Sequence, residues 1–182
     1  MASKLIPAFA ALALSACANP ELTHFERVLA ASDSATLALE QWCEMGGLAE
    51  HPTVTIEPVV GERSAVPDTV RNALQAGEAE EVGFRHVQLV CGETVMSDAR
   101  NWFVPARLTP EMNEALALTN APFGKIVAPL QFKRERLKSM RGAATGCPKG
   151  TILSHRARLT LPDGRPISYL LECYTPANVR RR

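Results

Sequence analysis

Two runs of alternating residues, 151–161 and 165–174, flank Pro162-Asp163-Gly164, and no other stretch constrains the fold as tightly. Asp-Gly between such runs is the strongest short cue for a β-hairpin, since both residues accept the backbone of a tight turn. A two-residue turn makes Pro162 face Arg165, and pairing outward from there sets His155 opposite Glu172. Both side chains then share one sheet face with Leu153, Ala157, Leu159, Ser168 and Leu170. A slip of one residue would move the whole set to the other face.

The rest of the chain alternates helix and strand signals around a single core, which is what 182 residues support. Asn19-Pro20-Glu21 is a helix start, followed by a stripe of Leu22, Phe25, Val28 and Leu29. A second start at Asp33 leads through Leu37, Leu39, Trp42 and Cys43 to a stop at Gly46-Gly47, giving a helical hairpin. Residues 53–60 read as a strand with Pro58 near an edge, and residues 67–75 as a short helix. From Val82 the period becomes two, turns at Gly92-Glu93 and continues through 94–104. Thr109-Pro110-Glu111 opens another helix, which Asn120-Ala121-Pro122-Phe123-Gly124 closes in a loop. The run Lys133-Arg134-Glu135-Arg136 reads as solvated surface. The fold class expected is α+β, a single antiparallel sheet with flanking helices.

Charge and cysteines bound the setting. Without residues 1–16, which contain Lys4 as their one charge, basic and acidic residues balance, so nothing electrostatic points to nucleic acid. Lys4, an apolar stretch over residues 5–14 and Ser15-Ala16-Cys17 have the form of a lipoprotein signal. Cleavage leaves Cys17 to carry the lipid and anchor the protein to a membrane of the cell envelope. An unprocessed N-terminus would keep the protein in the cytoplasm. The organisation expected is a signal segment over 1–16, a tether and first helix over 17–28, the domain proper over 29–176 and a basic tail over 177–182. Cys43, Cys91, Cys147 and Cys173 permit two disulfides in any of three connectivities, and buried free thiols fit Cys91 and Cys173 as well. Their spacing contains no CxxC, so no metal site is expected.

Two charged residues break the alternation. Arg85 lies in register with Val87, Leu89 and Cys91, and Glu172 with Leu170 and Ser168, where apolar side chains belong. A buried charge costs several kcal/mol unless paired. Either the two pair with each other, or with a neighbour such as His155, or Arg85 is a fork awaiting a ligand carboxylate and Glu172 meets a polar group of the same ligand.

Four pieces in order resemble the chorismate lyase family: 84–92 (FRHVQLVCG), 101–105 (NWFVP), 120–125 (NAPFGK), and 155–159 (HRARL) through Leu171-Glu172-Cys173-Tyr174. The resemblance covers 29–176. It implies that Arg85 grips a ring carboxylate and Glu172 holds the ring hydroxyl, while Phe123 and Ala35 each lend a backbone N–H; His155, placed opposite Glu172 by the hairpin register, is expected among the substrate-binding residues. Phe123 replaces an expected leucine and Ala35 a bulkier methionine. A further family arginine falls nearest Arg100, one residue out of register. The implied reaction removes the enolpyruvyl group of chorismate as pyruvate, leaving 4-hydroxybenzoate, with no metal or organic cofactor. Glu172, beside apolar neighbours, is then expected to favour its neutral form and serve the departing oxygen as proton donor. The alternative is an exported, lipid-anchored module that binds a small aromatic carboxylate without turnover, and a third role is purely structural. A monomer is expected.

Overall fold

The computed structural model describes residues 19–61 and 65–179. The signal segment, Cys17 and the last three residues of the basic tail lie outside the described residues. Six strands, β1 (Val54–Pro58), β2 (Gly83–Cys91), β3 (Thr94–Phe103), β4 (Lys133–Arg141), β5 (Leu153–Thr160) and β6 (Pro166–Tyr174), form one antiparallel sheet in the order β1-β2-β3-β6-β5-β4. The helices are α1 (Pro20–Ala30), α2 (Ala35–Met45), α3 (Asp68–Leu74), α4 (Pro110–Leu118) and α5 (Phe123–Ile126). The α+β architecture expected from the sequence is the one observed.

The helix starts follow from capping chemistry. The Asn19 side chain accepts from the N–H groups of Glu21 and Leu22, and Thr109 Oγ1 accepts from Met112 N–H. The second helix is capped one residue later than the sequence suggests: Ser34, not Asp33, accepts from Leu37 N–H, which leaves Asp33 just outside the helix.

Three apolar clusters hold the layers together. On the inner face, Phe25 and Leu29 of α1 and Ala38, Leu39 and Trp42 of α2 pack on Val54, Ile56, Val87, Ala99 and Tyr174. Full burial of each large apolar side chain contributes roughly 1.5–3 kcal/mol. On the outer face, Val70 and Leu74 of α3 cover Trp102, Tyr169 and Leu171. At one end, Met112 and Leu116 of α4 and Phe123 of α5 meet Phe103 and Leu159. Two disulfides staple these layers: Cys43–Cys91 joins α2 to β2, and Cys147–Cys173 ties the loop after β4 to β6. Of the three connectivities the sequence left open, this is the one adopted, and Cys91 and Cys173 are therefore not free thiols. Asn178, in the segment expected to be tail, is buried and donates to Met96 O, while its carbonyl accepts from Trp42 Nε1.

The hairpin differs from expectation at its tip. The loop is three residues, with Leu161 N–H donating to Arg165 O at 2.9 Å, Gly164 N–H donating to Leu161 O at 2.9 Å, and Gly164 at φ +90°. Thr160 therefore pairs with Pro166, but Leu159 pairs with Ser168, and the unpaired Ile167 forms a bulge. The bulge cancels the longer loop, so His155 faces Glu172 as the sequence requires.

The basic run at 133–136 is not a solvated surface throughout. It begins the edge strand β4, where Lys133, Glu135 and Arg136 are exposed and the Arg134 side chain points inward, 4% exposed. The alternation is hidden from sequence because both faces of this strand carry charge.

Candidate functional site

The inward faces of β2, β3 and β6 form a grid whose rows follow from the strand register. Arg85, Asn101 and Leu170 make one row, Val87, Ala99 and Glu172 the next, and Leu89, Ser97 and Tyr174 the third. Residues on one face of a strand recur every ~6.8 Å, twice the rise per residue. The rows floor a cavity of about 60 Å³ that is roofed by the start of α2, the Pro122-Phe123-Gly124 turn and Phe132. That is room for a few waters and less than the roughly 150 Å³ of a cavity that takes a benzene ring, so a single-ring acid enters only if the roof gives way.

Of the residues singled out from sequence, Arg85, Glu172, Phe123 and Ala35 all line this cavity. Arg85 is half-buried and makes no hydrogen bond or ion pair with any other described residue. Burial pushes its guanidinium below its ordinary pKa. At the α2 start, Ser34 Oγ takes the Leu37 N–H, so the N–H groups of Ala35 and Thr36 have no partner among the described residues. The Phe123 N–H is likewise unpartnered, and the Phe123 ring packs on Phe103 with centroids 5.6 Å apart. Gly124 allows this turn to approach α2, since a Cβ there would come within 3.2 Å of Ser34 Oγ.

Glu172 is paired, but not with Arg85. Arg134 donates to Glu172 Oε2, and so does the Tyr174 hydroxyl at 3.1 Å. Burial works against the Arg134 charge, yet the Glu172 carboxylate more than offsets it, so the guanidinium is held above its ordinary range. Burial, then the neighbouring carboxylate, raises the Tyr174 hydroxyl well above its ordinary pKa and keeps it a donor. Glu172 therefore accepts two hydrogen bonds at a single carboxyl oxygen. Glu172 Oε1 has no hydrogen-bond partner among the described residues.

His155 does not line the cavity. It lies behind Glu172, 1% exposed, with its ring edge-on to Tyr174 at 5.2 Å and Nδ1 3.9 Å from Glu172 Oε2. Burial pushes its pKa down to about 4; Glu172 pulls it up and Arg134 down. Arg134 Nη2 lies 3.4 Å from Nδ1, so the neutral ring accepts there and carries its proton on Nε2. Arg100 is on the outer face, paired with Asp98, and it is its neighbour Asn101 that reaches the cavity. Sequence reading missed the polar cavity residues Asp33, Ser34, Thr36, Tyr174, Arg134, Asn101 and Ser97. For the last two the signal existed, because both share parity with Ala99.

Among the described residues no group of three His, Cys, Asp or Glu side chains is placed to hold a metal ion, and no helix is long and apolar enough to cross a membrane.

The single antiparallel sheet with flanking helices is the chorismate lyase-like fold, and solved ligand-binding domains share it. The ligand-binding domain of a putative GntR-family transcriptional regulator from Bordetella bronchiseptica aligns with TM-score 0.50 at 16% identity, covering 68% of this chain and 83% of that one. The effector domain of PhnF from Mycobacterium smegmatis aligns with TM-score 0.55 at 13% identity, over 79% and 89% of the two chains. Against PhnF itself the TM-score is 0.56 at 12% identity, and the match covers 81% of this chain and 65% of the regulator. No family model matches the sequence. The chain belongs to the same family as the uncharacterized protein y4mC of Sinorhizobium fredii, with 36% identity over 166 residues, 81% of this chain and 70% of the relative.

Proposed function

We propose that the chain binds a small aromatic carboxylate in this cavity and does not turn it over, acting as an exported module anchored by lipid on Cys17. The observation that carries the reading is Arg85: a half-buried cation on a cavity floor, without a counterion among the described residues, is what a ligand carboxylate completes. The free N–H groups of Ala35 and Phe123 line the same cavity and supply further donors. Arg85 and Glu172 stand one row and two strands apart, about 12 Å between their backbones by strand spacing, and a single-ring acid would lie between the two inward side chains with its ring hydroxyl donating to Glu172 Oε1. Binding without chemistry is favoured because Arg134 and Tyr174 already hold Glu172 as an acceptor. The fold neighbours described as ligand-binding and effector domains are consistent with that role. The two disulfides suit an oxidising compartment, as export requires.

Isothermal titration of the purified chain with 4-hydroxybenzoate tests the reading. Wild type should bind and Arg85→Ala should not; equal affinities would remove Arg85 from the site. A second reading, chorismate lyase activity, is favoured by one observation, that Arg85 and Glu172 line one cavity without touching each other. Incubation with chorismate separates the two, because release of pyruvate would replace the binder with an enzyme. Mass spectrometry of the cell-expressed protein for an acylated Cys17 tests the anchor, and light scattering tests the expected monomer.

A further inference from the structure

We propose that Asn101 is a second carboxylate-binding residue of the cavity, its Nδ2 donating to the same ligand carboxylate that Arg85 grips, with Ser168 as the residue that positions the amide. This rests on the reading of the cavity as a carboxylate site. Asn101 is the direct cross-strand partner of Arg85, so both side chains leave the same face of the sheet in the same row. Its side chain is buried, the residue being 3% exposed, and it lines the cavity. Asn101 Nδ2 is buried and has no hydrogen-bond partner among the described residues, whereas Oδ1 accepts from the hydroxyl of Ser168, itself fully buried. A buried amide N–H without an acceptor is rare in folded proteins, and one beside an uncompensated guanidinium at a cavity wall points to an absent acceptor.

The chemistry of the row narrows what that acceptor is. Arg85 and Asn101 Nδ2 offer donors only, and their row continues with Leu170 and Ala157, which offer no side-chain hydrogen bond. A group that also donates, such as a primary amide or a phenol, would point a proton at these donors. A carboxylate presents two acceptor oxygens and none of that conflict. One row further on, Glu172 Oε1 is an acceptor. Across these two rows of the floor, donors stand opposite an acceptor, and the ligand class they select is a hydroxy acid rather than a diacid.

Titration of the full chain with 4-hydroxybenzoate and with 4-hydroxybenzamide tests this. Asn101→Ala should weaken the acid by about tenfold or more, the effect of losing one hydrogen bond to a charged group, and the neutral amide by clearly less. Asn101→Asp should remove acid binding at neutral pH, because the new carboxylate becomes the counterion of Arg85, and should retain or improve amide binding. Ser168→Ala should weaken the acid without affecting Arg85. If Asn101→Ala fails to fold, the equal-sized Asn101→Asp decides. An Asn101→Ala protein that binds the acid as tightly as wild type, or more tightly, would show that the amide oxygen faces Arg85 as an internal partner, and would overturn the proposal. Equal losses for acid and amide would also overturn it, marking a merely structural residue. If Arg85→Ala abolishes acid binding while Asn101→Ala does not, only this inference fails; a wild type that binds neither ligand ends the carboxylate reading as well.

Discussion

Arg134 of the edge strand and Glu172 of β6 form an ion pair in which both side chains are buried, 4% and 5% exposed. From the row of Leu159, Arg134 runs along the inner face to reach a carboxylate two rows on. This contact takes Glu172 out of any pairing with Arg85 and leaves Arg85 without a counterion among the described residues. A buried pair of this kind contributes little by itself, but removing one member strands the other. Arg134→Met should therefore destabilise the fold by about 3–5 kcal/mol, and the double variant Arg134→Met, Glu172→Gln should recover most of the loss. Urea denaturation of the four proteins checks this, and additive losses would mean that the pair is not coupled.

His155 gives the fold a pH dependence whose sign follows from its burial. Its pKa is pushed down to about 4, whereas an unfolded histidine titrates near 6.5. Between those values the unfolded chain binds a proton that the native ring refuses, so stability falls as pH falls. The contribution is complete above pH ~6.5 and lost by pH ~4, amounting to about 3 kcal/mol. Glu26 and Glu80, held low by Arg141 and Arg107, add a dependence of the same sign that sets in at lower pH, where unfolded glutamates begin to protonate. Urea midpoints at pH 7 and pH 5 should differ clearly for wild type and much less for His155→Gln. A wild-type midpoint that does not move would contradict a neutral buried imidazole.

What could be read in advance divides along physical lines. The hairpin register was legible because Leu153, Ala157, Leu159 and Leu170 alternate strictly, and burial of one face admits one pairing. That is also why Arg85 and Glu172 stood out: each interrupts an apolar series. The turn tip was not legible, since a three-residue loop compensated by a bulge at Ile167 yields the same distal register as a two-residue turn. Arg134 was hidden because an edge strand with one inward side chain has no apolar alternation to interrupt. The disulfide pairing needed spatial proximity, which cysteine spacing does not encode.

The two disulfides should differ in how they respond to reductant. Cys43 and Cys91 are fully buried, while Cys147 lies half-buried in the loop that follows β4. Thiol–disulfide exchange needs access to sulfur, so the native protein should lose Cys147–Cys173 first. Alkylation after graded reduction, read by peptide mass spectrometry, checks the order. Complete reduction should lower Tm by at least about 10 °C, since loops of 48 and 26 residues contribute roughly 3 kcal/mol or more each by chain entropy. Reduction of Cys43–Cys91 ahead of the other pair would mean that α2 opens from the sheet more readily than its packing implies.

Gly83 controls the site without reaching it. It pairs with Phe103 across β2 and β3, and a Cβ there would come within 2.7 Å of the Phe103 ring, far inside normal contact. The missing side chain gives the ring space to lie over the strand, and from there it supports Phe123, whose ring and turn form part of the cavity roof. Gly83→Ala must therefore displace Phe103, and overpacking of this sort costs about 1–3 kcal/mol. Because Phe103 is confined between Gly83 and Phe123, the displacement should pass to the Phe123 turn and move the unpartnered N–H there. The expected result is a loss of affinity for 4-hydroxybenzoate of about tenfold, in line with one impaired hydrogen bond to a carboxylate. Phe103→Leu combined with Gly83→Ala, which makes room for the new methyl, should restore stability. Titration calorimetry and urea denaturation on the single and double variants check both parts. Unchanged affinity in a clearly destabilised Gly83→Ala protein would show that the Phe123 turn holds its position independently of the ring beneath it.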